Sequence, residues 1–166
     1  MGIDGDLALI AAQEKALTFQ EFDEGTALKL GLAIRDEAER RGFAVAIDIR
    51  FAHRQLFFFA MPGTGPDNIE WIRRKVNTCL RFQKPSYAVG RGWAARGIGP
   101  SVERGLDPMD YVGAGGAFPI RLKGTGVVGT VTVSGVPERD DHMLVVRGIA
   151  AVLGVSMDGL ELPPEE

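Results

Sequence analysis

The sequence predicts an α+β domain in which helices flank an antiparallel sheet. The predicted elements follow the order α-α-β-β-α-α-β-β-α, so the strands come as two hairpins separated by helices. Hairpins give antiparallel pairing, whereas parallel strands need a crossover connection. A length of 166 residues, 45% of them hydrophobic, is sufficient for one domain with one core. We therefore expect a single domain over residues 1–166, with its core over about 6–154 and a flexible tail over 155–166.

Two helices are expected before the first strand. Asp6–Leu17 carries apolar residues at helical spacing. The second helix follows Asp23, whose side chain is suited to an N-cap, and it ends before Gly42. The apolar face of this second helix consists of Ala27, Leu28, Leu32, Ile34 and Ala38.

The strands form two predicted hairpins. Phe43–Arg50 is expected to pair with Gln55–Ala60, and Phe118–Leu122 with Val127–Ser134. Successive side chains of a strand point to opposite faces, so the run Phe57–Phe59 places aromatic rings on both faces. We therefore expect both faces of that strand to be covered.

Three further helices are expected around the hairpins. One spans Asn68–Phe82, with Asp67 as a candidate N-cap. A second helix starts at Ser86 and is weakened by its glycines. The last helix begins near Glu138 and ends near Leu153.

Composition excludes several classes of protein. A net charge of −3 argues against a nucleic-acid partner, which requires a basic field. Cys79 is the only cysteine, so no internal disulfide can form. Asp4 and Asp6 lie where a signal peptide would be positively charged, and no apolar run approaches the ~18 residues of a membrane span. We expect a cytoplasmic protein that binds neither nucleic acid nor membrane.

Basic residues are concentrated in one segment of this acidic chain. Between Trp71 and Val102 there is no Asp or Glu, so the segment could attract a carboxylate or phosphate into a basic pocket. The alternative is a solvated helix face that pairs with acids from elsewhere in the chain or from a neighbouring subunit. The seven bases are Arg73, Arg74, Lys75, Arg81, Lys84, Arg91 and Arg96.

Lys75 is the candidate ligand-binding residue of this segment, because it lies on an apolar helix face. An unpaired buried ammonium costs several kcal/mol, so Lys75 must reach solvent or meet an anion. Asp48 is a candidate internal partner, and a ligand carboxylate is the other solution. In the second case Lys75→Met would weaken ligand binding about ten- to a hundredfold and change stability much less. The face shared with Lys75 contains Asn68, Trp71, Ile72, Cys79 and Phe82.

A glycine-rich loop, Gly113–Pro119, precedes the third predicted strand. Three glycines in four residues can turn backbone N–H groups toward one point and hold an anion. The loop matches neither the dinucleotide-binding nor the phosphate-binding glycine motif. Its glycines could equally serve a tight entry into the strand at Phe118.

The two histidines do not indicate a metal site. His53 lies in the first hairpin turn, and His142 lies in the first turn of the last helix. Acids beside His142 would raise the pKa of the imidazole, whereas the helix N-terminus would lower it. With one cysteine and two distant histidines, we expect no bound metal.

Six segments together resemble an uncharacterised branch of the haem-degrading-domain superfamily, also described as GlcG-like or HbpS-like. They are FDEGTALKLGLAI, VAIDIR, MPGTGPDNIEWIRRKVNTCLRF, SYAVG, GGAFPI and GVVGTVTVSGVPERDDHMLVV, and they extend from about Phe22 to Leu153. The resemblance implies a profilin-like fold and a homo-oligomer. The positions that match the family's pocket motifs are Asn68, Trp71, Arg73, Lys75, Gly115, Gly116, Phe118 and His142.

Three functional hypotheses remain open. In the first, the chain binds haem or another small anionic ligand through the helix Asn68–Phe82 and the loop Gly113–Pro119, with haem as the candidate cofactor. The propionates would meet basic side chains, and the ring would lie against Trp71, Phe82 or Phe118. In the second, a cofactor-free enzyme acts on a small carboxylate-bearing metabolite, with Lys75 or His142 as acid and base. In the third, the chain is a non-catalytic sensing or scaffold subunit.

Overall fold

The computed structural model describes residues 1–165 and confirms the predicted order of helices and strands. A short 3-10 turn, Val102–Arg104, is added between the fourth helix and the third strand. None of the helices in this range is long and apolar enough to cross a membrane. The helices are α1 (Ile3–Ala16), α2 (Glu24–Arg40), α3 (Pro66–Phe82), α4 (Ser86–Ala95) and α5 (Glu138–Leu153), and the strands are β1 (Ala46–Phe51), β2 (Arg54–Ala60), β3 (Ala117–Leu122) and β4 (Gly126–Ser134).

The four strands form one antiparallel sheet in the order β2-β1-β4-β3, as the hairpin pattern predicted. Each hairpin contributes one edge strand and one central strand. The hairpins meet where β1 pairs with β4, with Asp48 opposite Thr132. This long-range pairing places the end of β4 beside the start of β1.

The two faces of the sheet differ in polarity. On one face, Ile47, Ile49 and Val133 are fully buried in the main core under α2 and α5. On the other face, α3 crosses β3 and β4 and packs a small apolar cluster of Ala46, Ile72 and Val76 against the sheet. α3 and α5 therefore lie on opposite faces, and both begin at the same end of the sheet.

The ends of α2 follow the predicted signals, whereas α3 begins earlier than predicted. The Asp23 carboxylate accepts a hydrogen bond from the Thr26 N–H at 2.9 Å, and Gly42 adopts the left-handed φ of 69° after α2. α3 begins at Pro66 rather than near Asn68, with Gly65 and not Asp67 as its N-cap. Proline fits the first helical turn because its missing N–H has no partner there anyway.

The prediction that both faces of β2 are covered is wrong for the single chain. β2 is an edge strand, and α2 packs over only part of it. The Phe57 ring lies so close to Gly31 that a Cβ at this glycine would collide with it. Phe58 and Phe59 each remain 40% exposed.

The tail was expected to be unfolded, but its described part packs against the domain. Leu160 and Leu162 are buried, and the Gln13 side-chain amide donates to the Leu160 carbonyl at 2.7 Å. Glu166, the last residue of the predicted tail, lies outside the described residues. The difference arises because these leucines cover apolar surface next to α1 and α5 that a domain ending at residue 154 would expose.

Candidate functional site

A cavity of about 470 Å³ lies where α3 and α5 begin and β4 ends. We call it the α3–α5 pocket. It contains three of the residues predicted to bind ligand, namely Asn68, Trp71 and Lys75. Its complete lining is Asp67, Asn68, Trp71, Lys75, Ala114, Ser134, Gly135, Val136, Glu138 and Asp141.

Lys75 is buried in the wall of this pocket and forms an ion pair with Asp141. Its Nζ donates to Asp141 Oδ2 at 2.9 Å and to the Val133 carbonyl at 3.0 Å, with only 2% of the residue exposed. The proposed partner Asp48 instead accepts hydrogen bonds from Arg50 and Gln55. Lys75 thus has an internal carboxylate, which the sequence analysis treated as the alternative to a ligand carboxylate.

The Asp141 carboxylate is held by backbone as well as by Lys75. Oδ1 accepts from the Val136 N–H at 3.1 Å, and Oδ2 accepts from the Gly135 N–H at 3.4 Å. Burial raises the pKa of Asp141 to about 6, against the opposing effect of the Lys75 ammonium. The Asp141 carboxyl group therefore keeps its proton to a higher pH than an ordinary aspartate does.

The glycine-rich loop serves close packing at this site. The Gly115 N–H already donates to Glu138 Oε2 at 3.1 Å. Gly116 has a φ of 137°, and a Cβ there would collide with the Val133 carbonyl and come within 2.8 Å of Lys75 Nζ. Of the loop, only Ala114 lines the pocket. Gly116 therefore leaves the space through which Lys75 reaches Asp141. The Gly115 N–H is already bonded to Glu138 and is not free to bind an anion.

The pocket is not basic, contrary to the expectation from the charge pattern. Three carboxylates, those of Asp67, Glu138 and Asp141, face one ammonium, that of Lys75. Asp67 accepts from the Trp71 indole N–H at 3.2 Å. A surplus of carboxylates opposes the binding of a carboxylate or phosphate group.

Five residues that match the predicted pocket motifs do not line this cavity, namely Arg73, Gly115, Gly116, Phe118 and His142. Arg73 is exposed and pairs with Glu70 at 3.1 Å and with Asp110 at 3.0 Å. The Phe118 ring is 1% exposed and belongs to the main core, 6.0 Å from the His142 ring. Both side chains are thereby separated from the α3–α5 pocket.

His142 is a core residue and not a pocket residue. It is fully buried, and its Nε2 lies 2.7 Å from Gln13 Oε1. Burial, together with the nearby Arg139 charge, lowers the pKa of His142 to about 3. The neighbouring acids do not raise this pKa, because Glu138 and Asp141 bond to Gly115 and Lys75 instead. The imidazole is therefore neutral at physiological pH.

Three of the seven bases, Arg73, Lys75 and Arg91, pair with acids from outside the acid-free segment, which is the alternative that the sequence left open. The Arg74 guanidinium stacks on the Trp71 ring at 4.3 Å. Arg81 donates to the Gly105 carbonyl at 3.2 Å, and Arg91 pairs with Asp6 at 2.7 Å. Lys84 and Arg96 differ, because they border a second cleft.

This second cleft, the α1–α4 cleft, also has a volume of about 470 Å³. It lies between α1, α4 and the end of α3, and most of its walls are apolar. The Phe82 and Trp93 rings meet edge to face at its base, with centroids 5.9 Å apart. The lining residues are Leu7, Ile10, Ala11, Glu14, Phe82, Lys84, Ala88, Val89, Gly92, Trp93 and Arg96.

Two cations at the α1–α4 cleft have no carboxylate within ion-pair distance among residues 1–165. Lys84 forms no ion pair there, and Arg96 donates only to the Gly92 carbonyl of its own helix, at 3.3 Å. The cleft carboxylate, Glu14, lies 3.7 Å from Arg121, and burial raises its pKa. The sequence of α1 does not indicate this cleft, because its apolar residues fit any helix that packs on a core. The signal that the sequence did offer is an aromatic residue shortly before a base, as in Phe82 with Lys84 and Trp93 with Arg96.

A family model described as haem degrading protein HbpS-like matches residues 22–150. The chain belongs to this HbpS-like family, as the six quoted segments indicated. A UPF0303 protein of Edwardsiella ictaluri is 51% identical over 156 residues, covering 94% of this chain and 99% of that one. A UPF0303 protein of Rhizobium etli is 48% identical over 165 residues, covering 99% of both.

Solved structures share the fold. The Ybr137w protein superposes with a TM-score of 0.82 at 28% identity and covers 90% of this chain and 89% of its own. HbpS gives a TM-score of 0.63 at 24% identity, covering 82% and 93%. A PduOC–haem complex gives 0.67 at 20% identity, covering 78% and 94%. The last two likenesses show the profilin-like α+β fold alone.

The two cavities differ in how well they suit haem. Haem needs an apolar slot for its ring and cations for its two propionates. The α1–α4 cleft offers apolar walls with Lys84 and Arg96, whereas the α3–α5 pocket is rich in carboxylates. Neither lining contains a histidine, cysteine, methionine or tyrosine to ligate iron. Within residues 1–165, no group of three or more His, Cys, Asp or Glu side chains could hold a metal ion.

The buried ion pair reverses the expected effect of replacing Lys75. Lys75→Met leaves the Asp141 carboxylate buried without its cation, so the free energy of unfolding should fall by about 3 kcal/mol or more at pH 7. Removing the cation raises the pKa of Asp141 further, so the folded variant takes up a proton that the unfolded chain does not. The loss should therefore shrink by about 1.4 kcal/mol per pH unit as the pH falls from 7 to 6, below which Asp141 of the unaltered chain takes up its proton as well.

Urea denaturation at both pH values measures this effect. The double variant Lys75→Met/Asp141→Asn is the control, since it removes both charges and should recover most of the loss at pH 7. If the single variant is as stable as the unaltered chain at pH 7, the pair does not stabilise the fold.

Proposed function

We propose that this protein binds haem, or a closely related tetrapyrrole, in the α1–α4 cleft. The observation that carries this proposal is the combination of apolar, aromatic walls with two cations, Lys84 and Arg96, that form no ion pair within 4.0 Å among the described residues. Membership of the HbpS-like haem-degrading family supports the ligand class. The site therefore moves from the α3–α5 pocket, where the sequence analysis located it, to the other end of α3.

The proposed binding mode follows from the cleft residues. The ring would pack against Phe82, which is 37% exposed and accessible to a ligand, and against the apolar side of α1. The propionates would meet Lys84 and Arg96 at the rim, where exposed charges interact at low cost in desolvation. Bound haem would supply a redox-active iron, and the chain's own residues would bind and orient the ring.

The cleft residues predict that iron contributes little to affinity. Glu14 is the lone side chain of the lining with an oxygen donor, and it lies beside Arg121. Haem and metal-free protoporphyrin should therefore bind with similar affinity. This property separates the α1–α4 cleft from a site built around an axial ligand.

Removal of both rim cations should weaken haem binding about tenfold, since each exposed pair contributes up to about 1 kcal/mol. The variant is Lys84→Gln/Arg96→Gln, and affinity is measured by absorbance titration with haem and with metal-free protoporphyrin. Arg73→Gln/Arg74→Gln is the control, because it removes two cations that lie outside the cleft. If both double variants lost the same haem affinity, the loss would be an effect of net charge and the assignment of Lys84 and Arg96 would be wrong.

The two tryptophans locate the bound ring. Haem should quench the fluorescence of Trp71→Phe more strongly than that of Trp93→Phe, because Trp93 lines the α1–α4 cleft and Trp71 the α3–α5 pocket. Stronger quenching of Trp93→Phe than of Trp71→Phe would show instead that haem binds in the α3–α5 pocket. Metal-free protoporphyrin binding a hundredfold more weakly than haem would also contradict the assignment.

We also propose that the protein is a cytoplasmic homo-oligomer. The free, buried Cys79 suits a reducing compartment. Phe58 and Phe59 of the edge strand β2 are exposed on its two faces, and α2 carries the exposed Leu28 and Leu32, at 53% and 39% exposure. Exposed apolar surface of this kind, next to an unpaired strand edge, favours association.

Light scattering should give a mass above the 17.9 kDa of one chain at micromolar concentration. Phe58→Ser/Phe59→Ser should lower the mass toward that of one chain while the circular dichroism spectrum is kept. Val102→Ser/Met109→Ser replaces two exposed apolar residues away from β2 and should leave the mass unchanged. A single-chain mass for the unaltered protein would rule out the oligomer.

A second candidate function is acid–base catalysis on a small molecule in the α3–α5 pocket. The specific observation is Asp141, with a pKa of about 6, beside Lys75 in the pocket wall. His142 has no part in this candidate because it is buried in the core. The surplus of carboxylates favours a substrate with a hydrogen-bond donor or a cationic group over a carboxylate-bearing one.

The state of Asp141 tests this candidate directly. Carbon-13 NMR titration of the labelled aspartates, with Asp141→Asn to assign the signal, should give a pKa of about 6. Since burial raises this pKa and the Lys75 ammonium lowers it, a midpoint below 4 would mean that burial does not outweigh the ion pair. Such a value would remove the basis for acid–base chemistry at neutral pH.

A further inference from the structure

We infer that a third cavity is a binding site for a small carboxylate, and that the tail residue Glu165 occupies it as an internal ligand. The cavity has a volume of about 450 Å³ and is lined by Met1, Gly2, Arg91, Arg139 and Glu165. None of these residues lines the α1–α4 cleft or the α3–α5 pocket. The inference is therefore independent of haem binding.

The cavity wall carries a surplus of positive charge. Asp6 is fully buried behind it, with two hydrogen bonds from Arg139 at 3.0 Å each and an ion pair with Arg91 at 2.7 Å. Burial opposes the ionisation of Asp6, but the two guanidinium groups outweigh it and hold its pKa below the usual value. One carboxylate cannot neutralise two guanidinium groups, so one positive charge remains.

Hydrogen-bonding capacity remains at the same place. Arg91 Nε is buried and has no partner among the described residues. The planar guanidinium group presents its donors as a fork that matches the two oxygens of a carboxylate. Gly2, which precedes α1, also lines the cavity, so the positive end of that helix dipole lies at its wall.

The tail places a carboxylate at this cavity, held by few bonds. Leu160 and Leu162 anchor the tail, and the Pro163 carbonyl accepts from Arg139 Nε at 2.6 Å. Beyond this point, Glu165 Oε1 accepts one hydrogen bond, from the Tyr87 hydroxyl at 3.2 Å. Glu165 is exposed and makes no ion pair with either arginine within 4.0 Å.

Glu165 thus resembles a weakly held ligand that a better one displaces. A free carboxylate can approach Arg91 without the constraint of the chain and form the bonds that Glu165 does not form. Because Glu165 is tethered, its effective concentration at the cavity is high, and it lowers the apparent affinity for any free anion. Removal of its charge should therefore uncover the site.

Isothermal titration calorimetry with sodium succinate tests the inference on the full chain. Glu165→Gln should bind succinate about tenfold more tightly than the unaltered protein, a gain of about 1.4 kcal/mol. Glu161→Gln is the matched control, because Glu161 belongs to the same tail but pairs with Arg147 at 2.7 Å. Its succinate affinity should equal that of the unaltered chain.

Arg91→Lys, made in the Glu165→Gln background, identifies the receiving group. Lysine keeps a positive charge beside Asp6, so the domain should remain folded by circular dichroism, but the fork is lost and succinate affinity should fall about tenfold. Should Arg91→Lys unfold the domain, Tyr87→Phe in the same background removes the phenol donor and should weaken binding about threefold. The inference is overturned if Glu165→Gln and Glu161→Gln bind succinate equally. It is also overturned if inorganic phosphate binds Glu165→Gln as tightly as succinate does, because charge alone would then account for binding.

Discussion

The ion pair between Lys75 and Asp141 is the interaction on which the arrangement of this domain depends. α3 and α5 lie on opposite faces of the sheet, so they cannot pack against each other directly. The pair joins them around the end of the sheet, where β4 stops and α5 begins. Its distance of 2.9 Å is reached only because Gly116 leaves room for the lysine chain. A Cβ at that glycine would force the sheet and α3 apart, which explains a glycine at a φ of 137° directly before β3.

Three polar residues near the start of α5 bond to two other helices. Arg139 bonds to Asp6 of α1, Asp141 to Lys75 of α3, and His142 to Gln13 of α1. Each of these groups is buried, and an unsatisfied buried polar group would destabilise the fold. The same residues therefore specify how α1 and α3 dock on α5. They also explain why α5, polar by composition in its first turn, contains some of the least exposed residues of the domain.

Local signals in the sequence were sufficient for the elements but not for the contacts between them. The N-cap at Asp23 and the left-handed Gly42 could be predicted because they depend on neighbours within four residues. The partner of Lys75 could not, since Asp141 lies 66 positions later and reaches the lysine only through the pairing of β1 with β4. The effect of the neighbouring acids on the pKa of His142 could not be predicted either, because it depends on contacts with distant parts of the chain. In the sequence they adjoin the histidine, whereas in the fold they turn toward Lys75 and Gly115.

The position of the candidate haem site follows from how the fold uses its charges. In the α3–α5 pocket, Lys75 stabilises the fold with Asp141, and the surrounding carboxylates repel further anions. Arg91 is likewise committed to Asp6. Lys84 and Arg96 alone, of the seven bases in the acid-free segment, combine exposure with a place at the rim of an apolar cleft. A ligand that presents two carboxylates on a flat apolar ring matches that cleft better than it matches the α3–α5 pocket. Lys84 and Arg96 therefore differ from Lys75 in having no buried carboxylate partner, and this difference becomes visible only once the helices have been packed against the sheet.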